Sequence, residues 1–360
     1  MKLYLTSAVA FALFCASTAL SLAAQGDLLD VRDSSDAPIK IIFDTDIGGD
    51  IDDAFALALI HRFADEGVCE LLGVSLTNPN AVAARFVGAC NALYGRPDVP
   101  VAVAANAKQT DDNYPAKILE QQNADGTPEF PVPKDFKTEE PVPMLRRLLA
   151  NAKNGEVVIV QVGGSTNLAA LLDSPPDNIS PYTGRELAEK KVRLVSVMGG
   201  AFVIDETAKD DYTNYREWNI IVDVPAAQKL AKEWPGEIVF SGYEVGMRAT
   251  LSATRLPNVD SSSKVKFLYD AFKHWGEKNA PSEGVNHCRP TWDLTSVYYV
   301  VRPEADAGLY SLSEPLDVAF ADDGATICAS NPKGKRRAFL TDEAGRAKAV
   351  EAFVEICSRP

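Results

Sequence analysis

Ile39-Lys40-Ile41-Ile42-Phe43-Asp44-Thr45-Asp46-Ile47-Gly48-Gly49-Asp50-Ile51-Asp52-Asp53 is the stretch whose reading decides the fold. Residues 39–43 form a short apolar run rich in β-branched side chains, the pattern of a strand buried on both faces. Gly48 and Gly49 permit a tight turn. From residue 52 to 63 the spacing of Ala54, Leu57, Ala58 and Phe63 is helical. A strand that runs through acidic residues into a helix describes the carboxyl edge of a parallel sheet, where such folds bind their ligands.

The alternation continues outward from this unit. Strands are predicted over 71–76, 99–104, 157–162, 192–198 and 238–240. Helices are predicted over 81–94, 142–152, 166–172 and 225–233, with two more near 263–277 and 293–301. A short β-rich tail (315–339) and a final helix (343–356) close the chain. Strands alternating with helices predict an α/β protein with a mostly parallel central sheet flanked by helices. There is no internal repeat and no composition break, so residues 39–360 read as a single domain. The polar, proline-rich stretch 105–140 is too long for an ordinary connection and is expected to form a lid or rim; residues 200–216 read as another loop.

The N-terminus reads as a signal peptide over residues 1–24. Lys2 supplies a positive start, residues 8–20 are mostly apolar, and the small residues Ser21, Ala23 and Ala24 suit cleavage. A polar lead-in (25–38) follows. The expected product is exported, periplasmic or secreted, with Cys15 removed. The other cysteines, Cys69, Cys90, Cys288, Cys328 and Cys357, are too widely spaced for a zinc finger. Disulfides in an oxidising compartment and buried small hydrophobes both remain open for them. No later segment is long and apolar enough to cross a membrane.

Hydrophobic residues make up 46% of the chain and charged residues 24%, ordinary values for a globular protein. With 36 Lys plus Arg against 50 Asp plus Glu, the net charge of −14 repels phosphate backbones and anionic lipid, which argues against nucleic-acid and membrane partners.

Five carboxylates within ten residues, Asp44, Asp46, Asp50, Asp52 and Asp53, repel one another unless they are solvated, protonated or neutralised. With oxygen donors and no His or Cys beside them, a hard cation, Ca²⁺ or Mg²⁺, is the expected partner. The competing reading is a solvated turn in which Asp52 merely starts a helix. A strand followed by Asp-x-Asp also opens the haloacid dehalogenase-like phosphatases, in which Asp44 would be the nucleophile.

Later segments extend the pattern: Gly73-Val74-Ser75 with Asn78-Pro79-Asn80; Val162-Gly163-Gly164-Ser165-Thr166-Asn167-Leu168; Val197-Met198-Gly199-Gly200; Glu217-Trp218-Asn219-Ile220-Ile221-Val222-Asp223; and Trp292-Asp293. In this order, and over nearly all of residues 39–301, the chain resembles the inosine–uridine preferring nucleoside hydrolase family. The resemblance implies hydrolysis of the N-glycosidic bond of a ribonucleoside or related N-riboside to ribose and free base. It implies a Ca²⁺ cofactor and a calcium-bound water activated by Asp46.

Carried over position by position, it implies Asp46 as general base. Asp46, Asp53, the backbone carbonyl of Val162 and Asp293 would be metal ligands. Asp52 would grip the ribose hydroxyls, and Glu217, Trp218 and Asn219 would surround the 5′ hydroxyl. Met198 would line the sugar site, Asn78 or Asn80 would contact a ribose hydroxyl, and Asn214, or Asp211 in its place, would supply a further sugar contact. Trp292 stands where many members carry a His that protonates the leaving base, and a Trp there could stack on a purine. That substitution keeps open an alternative, a non-catalytic nucleoside- or sugar-binding protein that retains the calcium site. The loop between Asp46 and Asp52 is longer than in the familiar motif, which leaves Asp50 either as an extra carboxylate at the rim or as a sharer of ligand duties. Assembly into a homo-oligomer stays open as well.

Overall fold

A computed structural model describes residues 37–104, 113–202, 215–257, 259–301, 311–340 and 343–360. The signal segment, nearly all of the lead-in, Asp211 and Asn214 lie outside the described residues.

The opening stretch forms strand β1 (Ile39–Thr45). Its alternate side chains feed two separate cores, as a pleated strand with period two requires. Ile39, Ile41 and Phe43 enter one apolar cluster, while Ile42 enters the other. Strands β2 (Cys69–Leu76), β3 (Val101–Ala102), β4 (Thr138–Glu139), β5 (Val157–Gln161), β6 (Val192–Met198) and β7 (Glu237–Ser241) follow. The sheet order is β4-β3-β2-β1-β5-β6-β7, and all of these neighbours pair in parallel.

The β-rich tail completes one edge. Arg336–Leu340 lies parallel to β7, and beyond it Leu316–Phe320 and Thr326–Ser330 form an antiparallel hairpin. Chain direction across the sheet reverses between β1 and β5: β2 to β4 are laid down on one side of β1, and β5 to β7 on the other. That topological switch point opens a crevice at the carboxyl ends of β1 and β5.

Helices cover both faces. On one face lie Asp52–Asp65, Ala81–Leu93, Ser263–Asn279, Trp292–Val301 and Glu343–Cys357; on the other lie Pro141–Asn151, Thr166–Asp173, Gly184–Lys191 and Val224–Glu233. The helix Asp52–Asp65 is buried from Asp52 through Phe63. Each fully buried side chain such as Phe55 or Phe63 contributes about 1.5–3 kcal/mol relative to exposure. No described helix is long and apolar enough to cross a membrane.

The stretch expected to form a lid or rim contains, among its described residues, a helix, Tyr114–Leu119, and the short strand β4. Asn113 starts this helix by accepting from the Tyr114 N–H at 2.8 Å, and it also donates to the carbonyls of Gly48 and Gly49. The Tyr114 hydroxyl accepts from the Gly48 N–H at 3.1 Å. Part of the insertion is therefore a clamp on the acidic loop. Gly48 itself adopts φ +109°, and a Cβ there would sit 2.8 Å from that of Ala83. Close packing and backbone conformation both demand glycine at this position.

Candidate active site

β1 delivers Asp46 just past its carboxyl end, and the turn through Gly48 and Gly49 returns Asp52 and Asp53 on the first turn of the following helix. Asp293 arrives from the first turn of Trp292–Val301. One carboxylate oxygen each from Asp52, Asp53 and Asp293 lie within 4.8 Å of one another. The Asp293 N–H donates to Asp52 Oδ2 at 3.3 Å, and the Thr45 hydroxyl donates to Asp53 Oδ1. With Asp46, Val162, Met198, Glu217, Trp218, Asn219 and Trp292, these residues line a cleft of about 180 Å³.

Electrostatics follow from that crowding. Burial pushes Asp46 up to about 6 and Asp52 up to about 7, and the Asp46 charge adds to the effect on Asp52. Asp53 and Asp293 lie well above the usual carboxylate range, through burial first and then through neighbouring carboxylates. Six carboxylates line the cleft, and among the described residues Arg289 is its only cation. Such a set is intrinsically unstable as anions and calls for a positive partner. Oxygen-only donors fit a hard divalent cation rather than zinc.

Val162 follows β5 and lines the same cleft. Asn219 Nδ2 donates to Val162 O at 2.7 Å and to Met198 O at 3.2 Å, with Met198 Sδ also at 3.2 Å. Glu217 in turn accepts from the N–H groups of Asn219 (2.9 Å) and Gly200 (3.2 Å), and burial raises it to about 7. The segment 217–219 therefore locks the carboxyl ends of β5 and β6 together, a role that a reading of sugar contacts alone would miss. Trp218, 62% exposed, stands at the mouth of the cleft.

Some expected contacts are placed elsewhere. Neither Asn78 nor Asn80 lines the cleft. The Asn80 side chain is the N-cap of Ala81–Leu93, accepting from the Val82 and Ala83 N–H groups at 3.0 Å each. Asp44 is fully buried, holding Ser75 and Asn167 (2.8 Å), and burial pushes it up to about 7. A nucleophile must reach its substrate, so the phosphatase reading built on Asp44 is corrected here. Instead Asp44 ties together β1, β2 and the helix Thr166–Asp173.

Sequence reasoning missed three cleft residues: Tyr215, Tyr243 and Arg289. Tyr215 stacks on Tyr243 at 3.8 Å between ring centroids, and Tyr243 stacks on Trp292 at 5.5 Å. Trp292 Nε1 donates to the Tyr243 carbonyl at 2.9 Å. Arg289 lies over Trp292 at 4.7 Å and over Trp275 at 5.0 Å, and it forms an ion pair with Asp50. The aromatic residue ahead of Glu217 and the Arg ahead of Trp292 were the only local signals. No histidine lines the cleft among the described residues. His61 is buried against Asn91, His274 bonds Gln121 and Glu277, and His287 bonds Glu283.

Sheet topology and an acidic cleft at the switch point define an α/β protein whose clustered carboxylates could hold a metal ion. The chain belongs to the inosine–uridine preferring nucleoside hydrolase family, whose model matches residues 41–355. It is accordingly an enzyme of the nucleoside hydrolase class, a glycosidase of N-glycosyl bonds. A pyrimidine-specific ribonucleoside hydrolase of Citrobacter koseri is 28% identical over 268 residues, covering 71% of this chain and 79% of that protein. A purine-preferring ribonucleoside hydrolase from Gardnerella vaginalis shares the fold with a TM-score of 0.63 at 18% identity, covering 89% of this chain and 99% of the other. The inosine–uridine preferring nucleoside hydrolase of Bacillus anthracis also aligns at 0.63, with 17% identity and coverage of 89% and 99%.

Proposed function

We propose that this enzyme cleaves the N-glycosidic bond with Asp46 as general base, next to a Ca²⁺ held by Asp46, Asp53, Asp293 and the Val162 carbonyl. The observation that carries this reading is the convergence of Asp52, Asp53 and Asp293 within 4.8 Å beside Asp46, in a cleft with almost no compensating positive charge. A cation held by these residues would neutralise the carboxylates and supply Lewis acidity that eases deprotonation of the attacking water. Asp46, half-buried at the cleft, would take the proton of the attacking water as general base. Asp52, whose oxygens face the same cluster, accepts hydrogen bonds from ribose hydroxyls and stabilises the positive charge that grows on the sugar as the bond breaks. Glu217 and Asn219 position the Val162 carbonyl and close the 5′ side of the sugar site.

The N-terminal segment further supports an exported enzyme that meets nucleosides outside the cytoplasm. The test is release of reducing sugar from a panel of purine and pyrimidine nucleosides, with Ca²⁺ and with excess chelator. Calcium-dependent release supports the reading; turnover unaffected by chelation, with no metal by elemental analysis, overturns the cation's role.

A further inference from the structure

Hydrolysis needs help at the leaving base as well as at the sugar, and no histidine among the described residues lines this cleft. One cation does. Arg289 precedes Trp292 on the short strand Arg289–Pro290, and its guanidinium is held from three sides: by Asp50 through Nη2, by the Trp292 ring and by the Trp275 ring. We propose that Arg289 is the residue that receives the departing base, donating hydrogen bonds to it as negative charge develops.

This rests on the hydrolase reading above and adds the group that reading lacks. As the C1′–N bond breaks, its electron pair passes to the base nitrogen. The attacking water forms the new C1′–O bond, its proton goes to Asp46, and the base nitrogen takes a proton from solvent. Arg289 keeps its protons throughout. Its five N–H donors, of which the Asp50 contact uses only part, suit a base that presents a carbonyl oxygen or ring nitrogen as acceptor. Stacking between two indoles and pairing with Asp50 fix the guanidinium in advance, so little reorganisation is needed when charge appears. Asp50 thereby gains a role for the lengthened acidic loop: it positions Arg289. Tyr215 is a poorer candidate, because burial holds its hydroxyl above the ordinary phenol range.

Leaving-group assistance has a distinctive signature. 4-Nitrophenyl β-D-riboside departs as a stable phenolate and needs none, whereas uridine and inosine do. Wild type, Arg289→Met and Arg289→Lys are compared on all three substrates. Arg289→Met is expected to lower kcat/KM on the two nucleosides on the order of 100-fold while changing it less than about threefold on the nitrophenyl riboside. Arg289→Lys, which keeps the charge but loses the planar fork, is expected to fall between, with the same selectivity; it also serves if the Met variant fails to fold. Calcium-induced thermal stabilisation is expected to be unchanged in both variants. Equal losses on all three substrates, or no loss on the nucleosides, would overturn the role of Arg289. A wild type that releases ribose from none of the three overturns the hydrolase reading and this proposal with it.

Discussion

Asn219 donates its side-chain amide to the carbonyl of Val162 at 2.7 Å, tying the short helix Trp218–Ile221 to the residue that follows β5. The carbonyl has a second lone pair, and this contact fixes the direction in which it points. Groups that orient a metal's ligands typically change affinity or activity 10- to 100-fold when removed. Asn219→Ala is therefore expected to weaken calcium binding and kcat by a factor of about 10–100. Calcium titrations followed by thermal shift, together with steady-state kinetics, check both. Unchanged calcium affinity would mean that Val162 needs no orienting partner.

Stability of the cation-free protein depends on pH in an unusual direction. An unfolded Asp ionises near 3.8, whereas folded Asp46 and Asp52 hold their protons to about 6 and about 7. Between those limits the folded state binds more protons, so raising the pH favours unfolding. Melting temperature in chelator is expected to fall from about pH 4 to about pH 7 as these carboxylates ionise, and calcium is expected to remove most of that fall. A flat profile in chelator would contradict the picture of crowded, uncompensated carboxylates.

Asp293→Asn removes a carboxyl whose ionisation is opposed in the folded state by burial and by the neighbouring carboxylates. In chelator near neutral pH the variant is expected to melt higher than wild type, and to show little or no stabilisation by calcium. Differential scanning calorimetry with and without Ca²⁺ separates the two effects. A variant that melts lower in chelator would show that Asp293 stabilises the fold through its own hydrogen bonds instead.

Gly48→Ala places a Cβ where Ala83 already sits, at a φ of +109°. A loss of about 1–3 kcal/mol in stability is expected, along with displacement of the loop that carries Asp50. Urea unfolding measures the first and kcat the second; wild-type values for both would show that the loop adapts freely.

Far from the cleft, Arg146 is buried and bonds both oxygens of Asp177, the Ser174 hydroxyl and the carbonyls of Ser180 and Tyr182. A lysine lacks the planar fork that makes these bonds together. Arg146→Lys is expected to cost about 2–4 kcal/mol in urea unfolding with kcat preserved. Loss of activity at full stability would be inconsistent with a purely architectural role.

Much of this was legible in the sequence because it is local. β1, the glycine turn and the helix from Asp52 follow from hydrophobic period and backbone freedom. The ordered motifs brought Asp46, Asp52, Asp53, Val162, Met198, Glu217, Asn219, Trp292 and Asp293 to one cleft. What escaped depends on contacts between distant residues. Asn113 and Tyr114 grip Gly48 from more than sixty residues away, and nothing in their neighbourhood announces it. Tyr243 enters the cleft from far along the chain, stacked on Tyr215 and Trp292. Asn80 carried two readings, turn former and sugar contact, and its side chain is engaged as a helix cap. The helix Gly184–Lys191 was missed although its start is written locally, in the reciprocal Thr183 and Glu186 capping box.

The central claim, that Asp46 drives hydrolysis at a calcium-dependent site, is tested most directly by ribose release from inosine and uridine with wild type and Asp46→Asn at saturating Ca²⁺. Wild type is expected to turn over at least one of the two, and the variant, still cooperatively folded, to lose kcat by about 10²–10⁴-fold, the usual worth of a general base. A folded Asp46→Asn protein that hydrolyses its nucleoside at the wild-type rate would contradict the account.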